Sequence, residues 1–413
     1  MEQALMKVNR NRLQETIETS AQIGAIPGNG LCRLALSDED KEIRDLFRSW
    51  LKDSGLQVRV DDFGNIYGRR EGKKKDAPPI LVGSHLDTQP MGGRFDGILG
   101  VLGALEVVRT LNDLEIETEL PIEIVSFTNE EGARFEPPML GSGGITGIFD
   151  KEFIYSQKDK SGKSFVDELK RIGYLGDESN RIRKVHSYLE FHVEQGPVLE
   201  QANSAIGVVE AIQGMTWLEV KLTGEGDHAG PTPMNMRKDA LVAAAKMIVA
   251  IQHAAREIDE MTTTTVGRMA LAPNVVNCIP GEVSFSVDVR HPEDIKRRLA
   301  VELVREKIST IAAAEGVEIE IRDLWEIETT PFAPQILKHI TEGAKAYGYS
   351  SRRIVSGAGH DAKYLSDIAP TAMIFVPSVN GKSHSPEELT SWEDIEQGAN
   401  VLLYVVEALA NER

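Results

Sequence analysis

The chain has 413 residues, more than one ordinary core organises, so two domains are expected. It is 41% hydrophobic and 27% charged, as soluble globular proteins are, and its net charge of −18 disfavours a nucleic-acid or anionic-membrane partner. Two cysteines, Cys32 and Cys278, make a disulfide framework untenable, Met1–Lys7 lacks the apolar core of a signal peptide, and no apolar run is long enough to span a membrane, so a cytoplasmic location is expected.

Helical periodicity runs from about Val8 to Ile26 and stops at Pro27-Gly28. Ser37 followed by Asp38, Glu39 and Asp40 caps a second helix that ends near Gly55. Leu56–Val60 and Asn65–Arg69 read as a hairpin around Phe63-Gly64, and the basic cluster from Arg69 to Lys75 as a solvated turn. Pro79–Val82 is a buried strand. It leads into Gly83-Ser84-His85-Leu86-Asp87 and then Gly92-Gly93-Arg94-Phe95-Asp96-Gly97, which places one His and two Asp on a glycine-rich loop at a sheet's carboxyl edge. Such donors suit zinc, manganese or cobalt. Taken alone, the spacing is served equally well by a polar strand end with turn glycines.

A helix over Ile98–Leu111 is apolar on most faces and has to be covered by other structure. The strand Pro121–Phe127 delivers Asn129-Glu130-Glu131-Gly132, and Tyr188–Gly196 repeats the pattern, with Glu190, His192 and Glu194 alternating onto one face. Helices and strands alternate here, which argues an α/β core. From Gln213 to Glu328 the texture changes to strand (Met215–Leu222), helix (Lys238–Ile258), strands (Thr263–Leu271 and Glu282–Val289), helix (Glu293–Ala314) and strand (Val317–Leu324). This βαββαβ order is a complete split βαβ unit, expected as a second domain over 213–329 inserted between 1–212 and 330–413. The edge of Met215–Leu222 is expected to be available for pairing with its own copy. After the insert, Gly357-Ala358-Gly359-His360-Asp361 and Ser383-His384-Ser385-Pro386 fall on loops, and Ser391 caps the last helix.

Five of the nine histidines, His85, His192, His228, His360 and His384, adjoin small or acidic residues at element ends; the other four read as structural or surface residues. Beside them stand Asp96 and the pair Glu130-Glu131. Neighbouring carboxylates are often a solvated surface feature. After an apolar strand, one can face a metal while the other stays free as a general base, the division that metal-assisted hydrolysis needs.

Together the motifs G-S-H-L-D-T-Q-P, G-G-R-F-D-G, N-E-E-G-A-R-F, H-V-E-Q-G, D-H-A-G-P-T-P-M, G-A-G-H-D-A and S-H-S-P-E-E resemble the hydantoinase/carbamoylase family of binuclear amidohydrolases, which belongs with the aminoacylases and glutamate carboxypeptidases. The resemblance spans the chain. It implies an α/β catalytic domain with a mixed, mostly parallel sheet, an inserted α+β lid and dimerisation domain, and a homodimer. It also implies two divalent ions per subunit (Zn²⁺, Mn²⁺, Co²⁺ or Ni²⁺), one held by His85, Asp96 and His192 and the other by Asp96, Glu131 and His384. Glu130 would be the general base, His228 the transition-state stabiliser, and Asp87 the acid that orients His85. Gln195, Asn277, Arg290, Gly359 and His360 would contact substrate. Read alone, Arg290 is an exposed strand-end cation and Asn277 a turn residue. The broader peptidase group usually has an acid where His192 stands, so His192 and Gln195 favour ureido substrates over peptides. The implied reaction is hydrolysis of N-carbamoyl-L-amino acids, with N-carbamoyl-β-alanine, allantoate, and acylamino acids or dipeptides as the rival substrates.

Overall fold

The computed structural model describes residues 5–412, so the first four residues of the Met1–Lys7 segment lie outside the described residues. The chain divides into two compact units, Met1–Glu210 with Pro331–Arg413, and Ala211–Thr330.

The first unit is built on a nine-stranded sheet. Four strands at its centre, in the spatial order Thr371–Val376, Ser187–Val193, Ile80–His85 and Ile122–Phe127, are mutually parallel. All four are buried along their whole length, as strands covered on both faces must be. The flanks are antiparallel: Ile206–Ile212 pairs with Thr371–Val376 on one side, and the hairpin Gln57–Val60/Ile66–Arg70 joins Ile122–Phe127 on the other. The sheet is therefore mixed, with a parallel core. The helix Ile98–Asp113 buries thirteen of its residues, which accounts for its nearly all-round apolar sequence.

The second unit has the sheet order Thr263–Thr265, Glu282–His291, Gly214–Thr223, Glu318–Ile327, all antiparallel, with Met269–Ala272 also on Glu282–His291. The helices Ala240–Ile258 and Asp294–Glu315 close one face over Leu218, Val220, Leu222, Phe285, Val287 and Val289.

Several local expectations are corrected. The first helix covers only Arg10–Ser20, because Ala25–Ile26 turns about Pro27-Gly28 to pair with Gly30–Leu31. Thr263–Leu271 is two strands rather than one, separated at Val266-Gly267-Arg268. The strand at Met215–Leu222 has no available edge, since it is hydrogen-bonded on both sides. The edges of this sheet are Glu318–Ile327 on one side and Thr263–Thr265 with Met269–Ala272 on the other. Glu194 lies beyond its strand and does not share the face of Glu190 and His192; its carboxylate accepts from the Val198 and Leu199 N–H groups at 2.7 Å and caps the short helix that follows.

Candidate metal centre

The four parallel strands of the first unit each deliver chemistry at their carboxyl ends, where an open α/β sheet offers a crevice. Ile80–His85 ends on His85, Ile122–Phe127 leads to Glu130-Glu131, Ser187–Val193 carries His192, and the loop after Thr371–Val376 carries His384. Asp96 comes from the loop ahead of the helix Ile98–Asp113.

The structure gathers these side chains into two donor sets, His85/Asp96/His192 and Asp96/Glu131/His384, each with its ligand atoms within 4.8 Å of one another. Asp96 belongs to both, one oxygen to each. Its Oδ1 lies 3.2 Å from His192 Nε2 and 3.6 Å from His85 Nε2, while its Oδ2 lies 3.4 Å from His384 Nε2. His384 Nε2 is also 3.3 Å from Glu131, and His85 Nε2 is 3.4 Å from Glu130.

The tautomers follow from the other ring nitrogen. His85 Nδ1 lies 2.9 Å from the Asp87 carbonyl, and His192 Nδ1 lies 2.8 Å from the Val193 carbonyl. A carbonyl only accepts, so both Nδ1 atoms carry hydrogen, which leaves Nε2 as the ring atom that faces the carboxylates and is available to a cation. The His192 Nε2 lone pair also faces the Gly97 N–H at 3.0 Å. Imidazole Nε2 atoms converging on carboxylate oxygens are bridged by a proton or by a metal cation, and this N/O donor set fits divalent zinc-type ions.

The surrounding electrostatics agree. Asp87, Asp96, Glu130 and Glu131 are all buried or nearly so. Burial, reinforced by Asp361, Glu131 and Asp96, lifts Glu130 well above the usual carboxylate range; burial and Asp96 lift Glu131 to about 7. Burial opposes ionisation of Asp96 too, but His192, His384 and His85 outweigh it and hold Asp96 well below its ordinary value. The hydrogen bond with Asp96 raises His384 to about 9. The pocket is rich in negative charge and calls for positive charge.

The supporting contacts differ in part from expectation. His85 is oriented by the main-chain carbonyl of Asp87, not by its carboxylate. The carboxylate instead accepts from the N–H groups of Glu130 (3.3 Å) and Glu131 (3.2 Å) and so fixes the turn that aims both acids. Gln195 Nε2 donates to Asp96 Oδ2 at 2.7 Å. Past Gly359, His360 is buried edge-on against His192 and its Nε2 lies 3.0 Å from Ser356 Oγ. A third grouping, Glu190/His192/His360, is already satisfied: Glu190 accepts from Ser84, Tyr188 and the Ala362 N–H. In the second unit, paired loops bring His228 beside Asn277-Cys278, with the Ala229 N–H donating to the Asn277 carbonyl at 2.9 Å. Arg290 lies on Glu282–His291 and grips Asp288 through Nε and Nη2. Sequence reasoning passed over Glu388, Ser383 and Gln89. Gln89 Nε2 donates to Glu131 at 2.8 Å, and its only signal was its place within G-S-H-L-D-T-Q-P.

Strand-end histidines and carboxylates on a parallel-cored sheet, with one shared aspartate, define a metallohydrolase-type centre. The sequence model of Peptidase family M20/M25/M40 matches residues 81–408. An N-carbamoyl-L-amino-acid amidohydrolase of Rhizobium meliloti is 45% identical over 97% of this chain and 96% of its own length. An allantoate amidohydrolase of Bacillus subtilis is 34% identical over 97% and 98%. A crystal structure of a hydantoinase/carbamoylase family amidase from Burkholderia multivorans superposes with a TM-score of 0.93 at 47% identity, covering 98% of this chain and 99% of that one. The chain belongs to the hydantoinase/carbamoylase family of amidohydrolases, within Peptidase family M20/M25/M40.

Proposed function

We propose that this enzyme hydrolyses N-carbamoyl-L-amino acids to the L-amino acid, carbon dioxide and ammonia, using two divalent cations. The observation that carries the metal reading is Asp96, whose two oxygens face two separate donor sets. His85, Asp96 and His192 would hold one ion, and Asp96, Glu131 and His384 the other. When bound, such ions supply Lewis acidity, so that water becomes a nucleophile near neutral pH. Glu130 takes the proton of the attacking water and returns it to the departing nitrogen; its place beside His85, outside both donor sets, supports that role. Asp87 keeps Glu130 aimed through the main-chain N–H. Arg290 holds the substrate carboxylate, a task suited to a guanidinium already fixed by Asp288, and Asn277 and Gln195 contact the rest of the substrate. His228 stabilises the oxyanion, an interaction commonly worth about 3 kcal/mol.

The ureido specificity is supported by the relatives of known name, of which the carbamoyl-amino-acid enzyme is more similar (45%) than the allantoate enzyme (34%). We further propose a cytoplasmic homodimer in which the second unit supplies His228 to the partner. One long side of the edge strand Glu318–Ile327 has no strand partner among the described residues, which supports pairing with a copy. Two free cysteines suit a reducing compartment, and no described helix is long and apolar enough to cross a membrane. The deciding experiment is a turnover panel of N-carbamoyl-L-amino acids, N-carbamoyl-β-alanine, allantoate and N-acetyl amino acids with several metals. A higher kcat/KM for allantoate than for every carbamoyl amino acid would transfer the assignment to that substrate.

A further inference from the structure

We propose that Glu388 is the positioning residue that holds Asp96 between the two cations and fastens together the loops that carry the second donor set. The inference rests on the reading of Asp96 and His384 as cation ligands. Glu388 is 4% exposed, although it follows Glu387 in a stretch that looks like a solvated acidic pair. Its Oε1 accepts two main-chain hydrogen bonds, from the Phe95 N–H at 2.9 Å and the Asp96 N–H at 3.1 Å. Those partners are 293 and 292 residues away in the chain. Its Oε2 lies 2.9 Å from the hydroxyl of Ser383, which also reaches Asp96 Oδ2 at 2.8 Å and directly precedes His384. One carboxylate thus holds Asp96 at its backbone, and the Ser383 hydroxyl, whose single hydrogen serves one carboxylate at a time, stands between it and the Asp96 side chain.

The glycine loop is shaped around this carboxylate. A Cβ added at Gly93 would stand 2.1 Å from Glu388, so the second glycine of G-G-R-F-D-G is the space in which Glu388 sits. Asp96 has to present different oxygens to His85/His192 and to His384, which tolerates little drift of its backbone. Removing Glu388 leaves two buried N–H groups without their acceptor and frees the Asp96 loop from the His384 loop. Residues that orient metal ligands in this way commonly govern affinity by roughly 10–100-fold.

The test compares wild type, Glu388→Ala, Glu388→Gln and Ser383→Ala as full chains. Each is stripped of metal and titrated with Co²⁺ against a chromophoric chelator, with the cobalt absorption spectrum and a thermal melt recorded in parallel. Glutamine keeps one carbonyl oxygen for both N–H groups and can donate to Ser383, so Glu388→Gln should bind within about threefold of wild type. Glu388→Ala should bind at least one ion 10–100-fold more weakly, with an altered spectrum and a fall in kcat larger than any rise in KM. Wild-type affinity in Glu388→Ala, or equal weakening in the Gln and Ala variants, overturns the proposal. Should Glu388→Ala fail to fold, Ser383→Ala decides: a severalfold loss of affinity supports the clamp, and unchanged affinity overturns it. A wild-type protein that takes up fewer than two ions would instead remove the paired-cation reading beneath it.

Discussion

Asp96 meets His85 and His192 through one oxygen and His384 through the other, whereas the adjacent acids Glu130 and Glu131 point to different histidines. Glu131 faces His384 and Glu130 faces His85 from outside the donor sets. Glu130→Gln should therefore lower kcat by about 10²–10⁴ while metal content per chain stays at the wild-type level, and Glu131→Gln should lose metal. Metal analysis alongside steady-state kinetics checks both, and the opposite pattern would mean that the two roles are exchanged. At this scale much of the centre was legible, because His85, His192 and Glu130-Glu131 sit where apolar strands run out. The contacts that orient them were not. The carbonyl of Asp87 is a main-chain atom, which no side-chain pattern announces, and Glu388 looks in sequence like half of an exposed pair. Gln195 also illustrates the limit, since nothing in H-V-E-Q-G says that its amide reaches Asp96.

Among the elements, the helix Ile98–Asp113 begins at Gly97, whose φ of +68° suits glycine and whose missing side chain leaves room for His85. An added Cβ would fall 2.2 Å from that ring. Gly147 has a φ of +81° with nothing within 4 Å, so it isolates the backbone strain from the crowding. Gly147→Ala should cost about 1 kcal/mol, and Gly97→Ala about 2–4 kcal/mol together with loss of bound metal. Equal melting shifts and equal metal content in the two variants would show that His85 has slack. In the hairpin, Asp61 accepts from the Phe63 and Asn65 N–H groups, the Asn65 amide and the Tyr67 hydroxyl, yet burial lifts its carboxyl from 3.8 to about 6. The folded state then holds this proton more tightly than the unfolded chain between pH 4 and 6. The contribution of Asp61 to stability is thus greatest below that window and falls as pH rises through it, by up to ~3 kcal/mol. Urea unfolding at several pH values, wild type against Asp61→Asn, reads this slope as the difference between the two proteins; a difference of opposite sign would mean that the four donors outweigh burial. Element types were largely readable from periodicity, but strand order was not. In a sheet open on one face, an edge strand and a central strand alternate alike, so Gly214–Thr223 betrayed nothing of its two neighbours.

For the whole molecule, the proposed dimer makes each site depend on Glu130 from one chain and His228 from the other. Glu130→Ala and His228→Ala homodimers should both be inactive. Random exchange makes about half the dimers mixed, each with one site in which both residues are intact, so roughly a quarter of wild-type activity should return. Continued inactivity after exchange, verified with differently tagged chains, would place His228 in its own chain's site. The alternation of strands and helices in the second unit was readable because its period is local, although the unit has one strand more than the expected βαββαβ order. The first unit was harder to read, since its sheet is closed by a strand that returns only after the insert.

That late return governs how the protein is made. Thr371–Val376 fits between Ser187–Val193 and Ile206–Ile212, and His384 and Glu388 follow it. While the insert is still being made, the place of Thr371–Val376 in the sheet is empty, which leaves pairing groups of Ser187–Val193 and Ile206–Ile212 open to any passing chain. A chain that stops before Thr371 would therefore lack His384 and Glu388 and leave a strand of the sheet unpaired, so it should aggregate more readily than the full chain. Both proposed donor sets are present together only once the segment that carries His384 has been made.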